Sequence, residues 1–325
     1  MKDVELKMLE RAKALLESGE VARVIGWKKG DFCYDPSPAT FETVAELDDF
    51  VYDWFCGANL SKYLIEMSKK EGKTAVFLKP CDTYSFNQLV KEHRIKRENV
   101  YVIAVECRGK LDVEKIKAKG ISLIQSIEVV DKNVKVISAY GEDTLQKPEV
   151  VLTKCATCQK TAQVKDEEII LHERPARNVD RFEEVAKLEA MTEEERFAFW
   201  RSQLSKCIRC NACRNVCPAC SCVKCVFDNP ASGIAAKAND DKFEEQLFHI
   251  IRAFHVAGRC TDCGECSRVC PQNIPLHLLN RKFIKDIDTF YGEYQAGETD
   301  EGKTPLTSYT EGDIEANDVF NGEAK

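Results

Sequence analysis

Apolar residues along this chain recur at two distinct periods. Val4, Met8, Ala12 and Leu15 follow helical spacing, and Ser18-Gly19 ends the pattern. Residues 21–27 then read as a strand. Residues 74–78 and 100–105 are short, nearly continuous apolar runs rich in β-branched side chains. A helical pattern over 85–91 separates them, and another follows over 113–119. Strand–helix–strand with wholly apolar strands predicts a mostly parallel sheet covered on both faces. Residues 121–130 and 134–140 read as a strand pair turning at Asp131-Lys132-Asn133. Together these patterns predict an α/β domain over residues 1–162.

Residues 163–204 are charged and read as a mostly helical connector. Thr192-x-x-Glu195 is a capping-box signature. It opens a helix with Phe197, Trp200 and Leu204 on one face, a stripe that reads as core packing rather than a cofactor box. Further helices are predicted over 240–256, with Phe243, Leu247, Ile250, Ile251 and Phe254 on one face, and over 275–287. Residues 205–291 are therefore expected to be mainly α-helical. After Gly292 the chain is acidic and aperiodic, and residues 292–325 are expected to form a flexible tail or an arm ordered against a partner.

Composition narrows the function. Hydrophobic residues make up 44% and charged residues 31% of the 325-residue chain, and no apolar run approaches the roughly 20 residues that cross a bilayer. The chain opens on a charged amphipathic stretch without a signal-peptide core, so a cytoplasmic location without direct membrane insertion is expected. Net charge is −7, with lysine and arginine dispersed and no basic stripe to follow a phosphate backbone. Nucleic acid is not an expected partner. Cysteine is the outlier, at 17 residues. Grouped as C-x-x-C in a long chain without a signal, these thiols indicate metal rather than disulfides, and oxygen-sensitive sites suggest an anaerobic host.

Two groups share one frame. Cys207-x2-Cys210-x2-Cys213-x3-Cys217-Pro218 is followed by Cys260-x2-Cys263-x2-Cys266-x3-Cys270-Pro271. This is the spacing of bacterial-type proteins with two 4Fe–4S clusters, in which the fourth cysteine of each run serves the other cluster. Cys207, Cys210, Cys213 and Cys270 are accordingly assigned to one cluster. Cys260, Cys263, Cys266 and Cys217 are assigned to the second. Paired zinc sites use four thiolates too, but need neither the third cysteine nor the Cys-Pro step. The wide separation of the motifs, with a helical pattern between them, resembles the α-helical ferredoxin fold of fumarate-reductase and heterodisulfide-reductase iron–sulfur subunits. Arg209, Arg214 and Lys206 are either solvated charges or cations that raise the first cluster's potential. The histidines fit no ligand frame, and His255 reads as packing.

Other thiols carry weaker signals. Cys220, Cys222 and Cys225 form either a further metal site or small buried thiols beside a cluster. Cys81 and Cys107 follow the two apolar strands, at the sheet edge where α/β proteins place ligands, and Cys155-x2-Cys158 closes the domain. These four suit a third 4Fe–4S cluster; alternatively Cys81 and Cys107 are buried thiols and Cys155 and Cys158 bind zinc or nothing. Lys154 and Lys160 flank the pair. Cys33 and Cys56 have no partner spacing.

The segments LLESGEVARVIGW, SKYL, AVFLKPCDTYSFNQLVKEHRI, YVIAVECRGKLD and KCATC follow in that order. In this order they resemble the beta-subunit family of deazaflavin-reducing hydrogenases and formate dehydrogenases. The likeness covers residues 12–160. It implies a cluster on Cys81, Cys107, Cys155 and Cys158, and membership of a larger redox complex. Partners then include a hydrogenase, formate dehydrogenase, heterodisulfide-reductase-like or flavin subunit. Family members bind FAD and usually open with a Ser/Gly-Gly segment ahead of the first helix, whereas this sequence starts inside that helix. Nor does a G-x-G-x-x-G follow any predicted strand. For FAD, the residues nearest the matching segment are Gly57, Asn59 and Lys62. The expected function is an iron–sulfur electron-transfer subunit, non-catalytic or partly catalytic, of a multi-subunit oxidoreductase. The alternative is a flavoprotein that exchanges hydride with a deazaflavin or NAD(P)H and relays the electrons through its own clusters.

Overall fold

The computed structural model describes residues 1–159, 163–170, 179–229 and 242–306. The chain divides into two compact units, residues 1–86 with 92–179, and residues 87–91 with those from 180 onward.

The first unit runs α1 (Lys2–Glu17), β1 (Arg23–Lys28), β2 (Ser37–Phe41), α2 (Leu64–Met67), β3 (Thr74–Leu78), α3 (Pro80–Lys91) and β4 (Val100–Val105). It continues through α4 (Val113–Lys117), β5 (Ile124–Val130), β6 (Asn133–Ser138), β7 (Gly141–Gln146), α5 (Lys147–Val150), α6 (Thr153–Ala156) and β8 (Glu168–Ile170). Five strands form a mixed sheet in the order β2-β1-β3-β4-β8. β1, β3, β4 and β8 are parallel, and β2 is antiparallel at the edge. Every residue of β3 is buried, which is why its sequence after Thr74 is an unbroken apolar run. α1 covers the sheet with Val4, Met8, Ala12 and Leu15, and Arg11 reaches Glu168 of β8 at 2.6 Å. Gly26 lets the Phe50 ring lie against β1; a Cβ there would meet that ring at 2.6 Å. A separate antiparallel sheet, β5-β6-β7, has its own apolar cluster around Val134, Val136 and Val150.

Several expectations change here. Residues 168–170, read as part of a helical connector, form β8 and extend the main sheet beside β4. Three residues are too few to show a strand period. β2 contains Pro38, tolerable because β2 is an edge. β7 has no buried residue, so it left no apolar signature. α3 begins at Pro80, five residues before the predicted start, with proline in the first turn where its missing N–H costs nothing. Cys81 therefore lies in the first turn of α3 rather than on the end of β3.

The second unit contains α7 (Glu183–Glu189), α8 (Glu193–Leu204), α9 (Ala212–Val216), α10 (Lys242–His255), α11 (Glu265–Arg268) and α12 (Leu276–Tyr291). Among its described residues there is no strand. The capping box at Thr192 and Glu195 is formed in both directions. Leu204, Phe227, Phe248, Ile274 and Leu276 build a core that includes Cys213 and Cys266.

Two amphipathic readings are corrected. Phe197 is 60% exposed, and Phe199 joins Trp200 in packing on Val185, Leu188 and Leu278. On α10 the predicted apolar face points largely outward, with Phe243, Ile250 and Phe254 exposed. The buried face instead carries Glu245, Phe248, His249 and Arg252. Residues 292–306, given to the flexible tail, pack within their unit: Ala296 and Thr304 are buried, and Gln295 accepts from Arg181 at 2.8 Å. Residues 307–325 lie outside the described residues. Among the described residues no helix is long and apolar enough to cross a membrane.

Candidate metal centres

The two cysteine loops of the second unit repeat one backbone. In the first, Arg209 (φ 53°) and Asn211 (φ 60°) are left-handed, and α9 starts immediately afterwards. In the second, Asp262 (φ 55°) and Gly264 (φ 67°) occupy the equivalent positions ahead of α11. Left-handed backbone costs a non-glycine residue about 1–2 kcal/mol, and both loops adopt it at the same two positions. Left- and right-handed residues in succession turn peptide N–H groups into a concave nest for anions, iron–sulfur groups among them. The Arg209 N–H already donates to the Cys207 sulfur at 3.4 Å. Beyond each loop the Cys-Pro step makes the same turn. Cys217 O accepts from Cys220 N, and Cys270 O from Asn273 N, each at 3.1 Å.

These turns cross the fourth cysteines over. Cys207, Cys210, Cys213 and Cys270 line one cavity, with Arg209, Phe248 and His249 also in its wall. Cys217 stands close enough to Cys260 and Cys266 to oppose their ionisation, and Cys263 acts on Cys260 as well. None of these cysteines is in a disulfide. Burial pushes Cys207 up to about 12, aided by Glu245, and Cys266 to about 11. Such thiols are poor nucleophiles at neutral pH. They ionise when a cation replaces the proton, as metal binding requires.

Polar groups of α10 fit an anionic metal group. All three guanidinium nitrogens of Arg252 and both ring nitrogens of His249 are buried without a hydrogen-bond partner among the described residues. Burial lowers His249 to about 3, with Arg252 and Arg209 adding to the effect, so its imidazole is neutral. Burial also acts to lower Arg252, but the thiols of Cys266, Cys213, Cys217 and Cys220 outweigh it and raise it. A lone buried cation costs several kcal/mol; a thiolate-bound cluster would supply the missing charge. Cys207, Glu245 and His249 also bring ligand atoms within 4.8 Å of one another. Periodicity could not reveal this charged face, because it looks solvent-exposed in sequence.

The other cations differ. Arg209 is buried, 3.2 Å from Glu245 and stacked 4.4 Å over Phe248. Arg214 turns away to Asp228 at 2.7 Å, and Lys206 is exposed, as is His255. Cys220, Cys222 and Cys225 do not converge. Cys220 packs beside Cys217 and Cys260, Cys225 lies against the Cys213 core, and Cys222 is exposed.

In the first unit, adjacent strands β3 and β4 bring the segments of Cys81 and Cys107 to one end of the sheet. Lys110 O accepts from Leu152 N at 2.9 Å, and Leu111 bridges Val151. These bonds lay the Cys155 segment along the Cys107 segment; a Cβ on Gly109 would sit 4.0 Å from that of Cys155. Burial pushes the Cys155 thiol up to about 11, and the neighbouring Cys107 adds to it. Burial likewise raises Cys81, with Cys158 among the contributing groups. The four thiols thus share one neighbourhood.

Three lysines from the same segments hold the loop of residues 53–58. Lys110 Nζ donates to Asp53 O, Lys154 Nζ to Gly57 O and Lys79 Nζ to Ala58 O, at 2.6, 2.8 and 2.6 Å. Lys79 also meets Asp82 at 2.7 Å, both fully enclosed. Asn59 donates to Ser85 Oγ and accepts from Ser61 N, so its amide is committed within the protein. Gly57 is buried and Lys62 half-buried. Cys56 is buried inside the loop with its thiol on Asp53 and Val51, and Cys33 is exposed. Lys160 lies outside the described residues.

Residues 203–274 match the family described as 4Fe-4S dicluster domain. The chain is homologous to the F420-dependent formate dehydrogenase subunit beta of Methanocaldococcus jannaschii, being 25% identical over 85% of this chain and 88% of that protein. It is 27% identical to the F420-dependent formate dehydrogenase 1 subunit beta of Methanococcus maripaludis, over 66% of this chain and 72% of the relative. A chain of the F420-reducing NiFe hydrogenase complex from Methanosarcina barkeri is 13% identical with a TM-score of 0.35, over 48% of this chain and 63% of that one.

Proposed function

We propose that this chain is the iron–sulfur electron-transfer subunit of a multi-subunit oxidoreductase. Its second unit holds two 4Fe–4S clusters in an α-helical ferredoxin, and its first unit holds a third on Cys81, Cys107, Cys155 and Cys158. The observation that carries the reading is the crossing of Cys217 and Cys270. It supplies two sets of four thiols on repeated anion-binding turns. Bound there, the clusters accept and release single electrons without proton chemistry of their own. The protein supplies thiolates, inward N–H groups and buried charge, and keeps water away.

The relatives' names attach F420 and formate to those proteins. For this chain they support a place between a hydride-handling partner and a one-electron acceptor. Asn59 is held within the protein by Ser85 and Ser61, and the relay reading assigns no FAD. Electron paramagnetic resonance during potentiometric titration of the anaerobically isolated chain tests the proposal. Reversible one-electron reduction of 4Fe–4S clusters is expected, without flavin. Stoichiometric FAD would make the chain a flavoenzyme, and redox-silent zinc would remove the relay.

A further inference from the structure

The buried face of α10 joins the two thiol sets. Phe248 and His249 line the cavity of Cys207, Cys210, Cys213 and Cys270. Two turns further on, Val256 packs in the cluster of Cys217, Ala219, Cys220 and Cys260. Arg252 lies between these contacts in helical register, only 2% exposed. The thiols that act on its charge come from both sets, Cys266 and Cys217 on one side and Cys213 on the other. The other buried arginines beside the cysteine loops are already paired, Arg209 with Glu245 and Arg281 with Asp262. Arg252 has no hydrogen-bond partner among the described residues.

We propose that Arg252 is a positioning residue whose single positive charge is shared by both clusters and raises the potential of each. The inference rests on the two-cluster reading above. A fixed cation stabilises the reduced, more negative state of a neighbouring cluster, and burial leaves that interaction unscreened. One charge midway between two sites keeps their potentials high together, so an electron passes between them without a large step.

The test measures the midpoint potentials of both clusters, by electron paramagnetic resonance, in the full anaerobically purified chain and in Arg252→Gln and Arg252→Lys. With Arg252→Gln, both clusters are expected to become at least about tenfold harder to reduce at a fixed potential, a shift of about 59 mV for a one-electron couple. Arg252→Lys is expected to stay near the wild type. Unchanged potentials in an iron-replete Arg252→Gln variant overturn the proposal, and movement of one cluster alone overturns the sharing. If Arg252→Gln fails to hold iron while Arg252→Lys holds it at near-wild-type potentials, the requirement for charge is supported. If the lysine variant also fails, the role is one of shape and the proposal falls. A wild-type chain without the iron of two cubanes would instead refute the underlying cluster reading.

Discussion

Lys79 and Lys110 are charges that have left solvent, and each stands near a cysteine in sequence. Lys79 is enclosed by Asp82, the Ala58 carbonyl and the Trp27 ring at 4.4 Å. Lys110 lies 3.8 Å from the centre of the Tyr52 ring; burial lowers its pKa while Cys107 opposes that effect. Removing one member of a buried pair strands the other, so Lys79→Met is expected to destabilise the first unit by about 3–5 kcal/mol. Chemical denaturation followed by tryptophan fluorescence measures this. Lys79→Met combined with Asp82→Leu should recover most of the loss; equal instability in the double variant would show that the pair is not the cause. Sequence revealed Cys81, but not that the adjacent lysine would hold the loop of residues 53–58. A lysine before proline looks like surface until the topology encloses it.

At the scale of elements, crossed ligation makes a prediction that other thiol arrangements do not. Cys217→Ser should perturb the same spectroscopic signal as Cys263→Ser, although Cys217 belongs to the first motif. Cys270→Ser should match Cys210→Ser in the same way. Pairing of signals by motif would contradict the crossing, with the spectra of the four variants deciding. A smaller effect is expected at α8, where Thr192→Ala should cost about 0.5–2 kcal/mol of stability through loss of the capping box.

β3 and β4 were legible to the residue because nearly every position of each strand is buried, so nearly every position had to be apolar. β7 and β8 were not, one having no buried residue and the other being three residues long. α10 was legible as a helix but not in its orientation. Its charged face turns inward against the thiols of both motifs, and hydrophobic period alone selects the opposite face.

For the whole molecule, the cysteine spacing established the dicluster part before any coordinates, because tight loops around a cubane admit few spacings. Spacing showed the first-unit group only as leftover thiols near strand ends, and the family resemblance alone grouped them as a cluster; the bonds between residues 110–111 and 151–152 join their segments. Metal and stability are coupled unevenly. Cys213 and Cys266 belong to the hydrophobic core of the second unit, whereas β1, β3 and β4 are buried by apolar contacts of their own. Anaerobic iron chelation is therefore expected to accelerate hydrogen exchange through residues 207–217 and 260–270 while the amides of β3 stay protected. Uniform exchange across both units would contradict this difference.

The most direct test of the account is the metal and sulfide content of the anaerobically isolated full chain. At four irons per cubane, about twelve irons and as many acid-labile sulfides per chain are expected. Stoichiometric zinc with no labile sulfide would contradict the electron-transfer function.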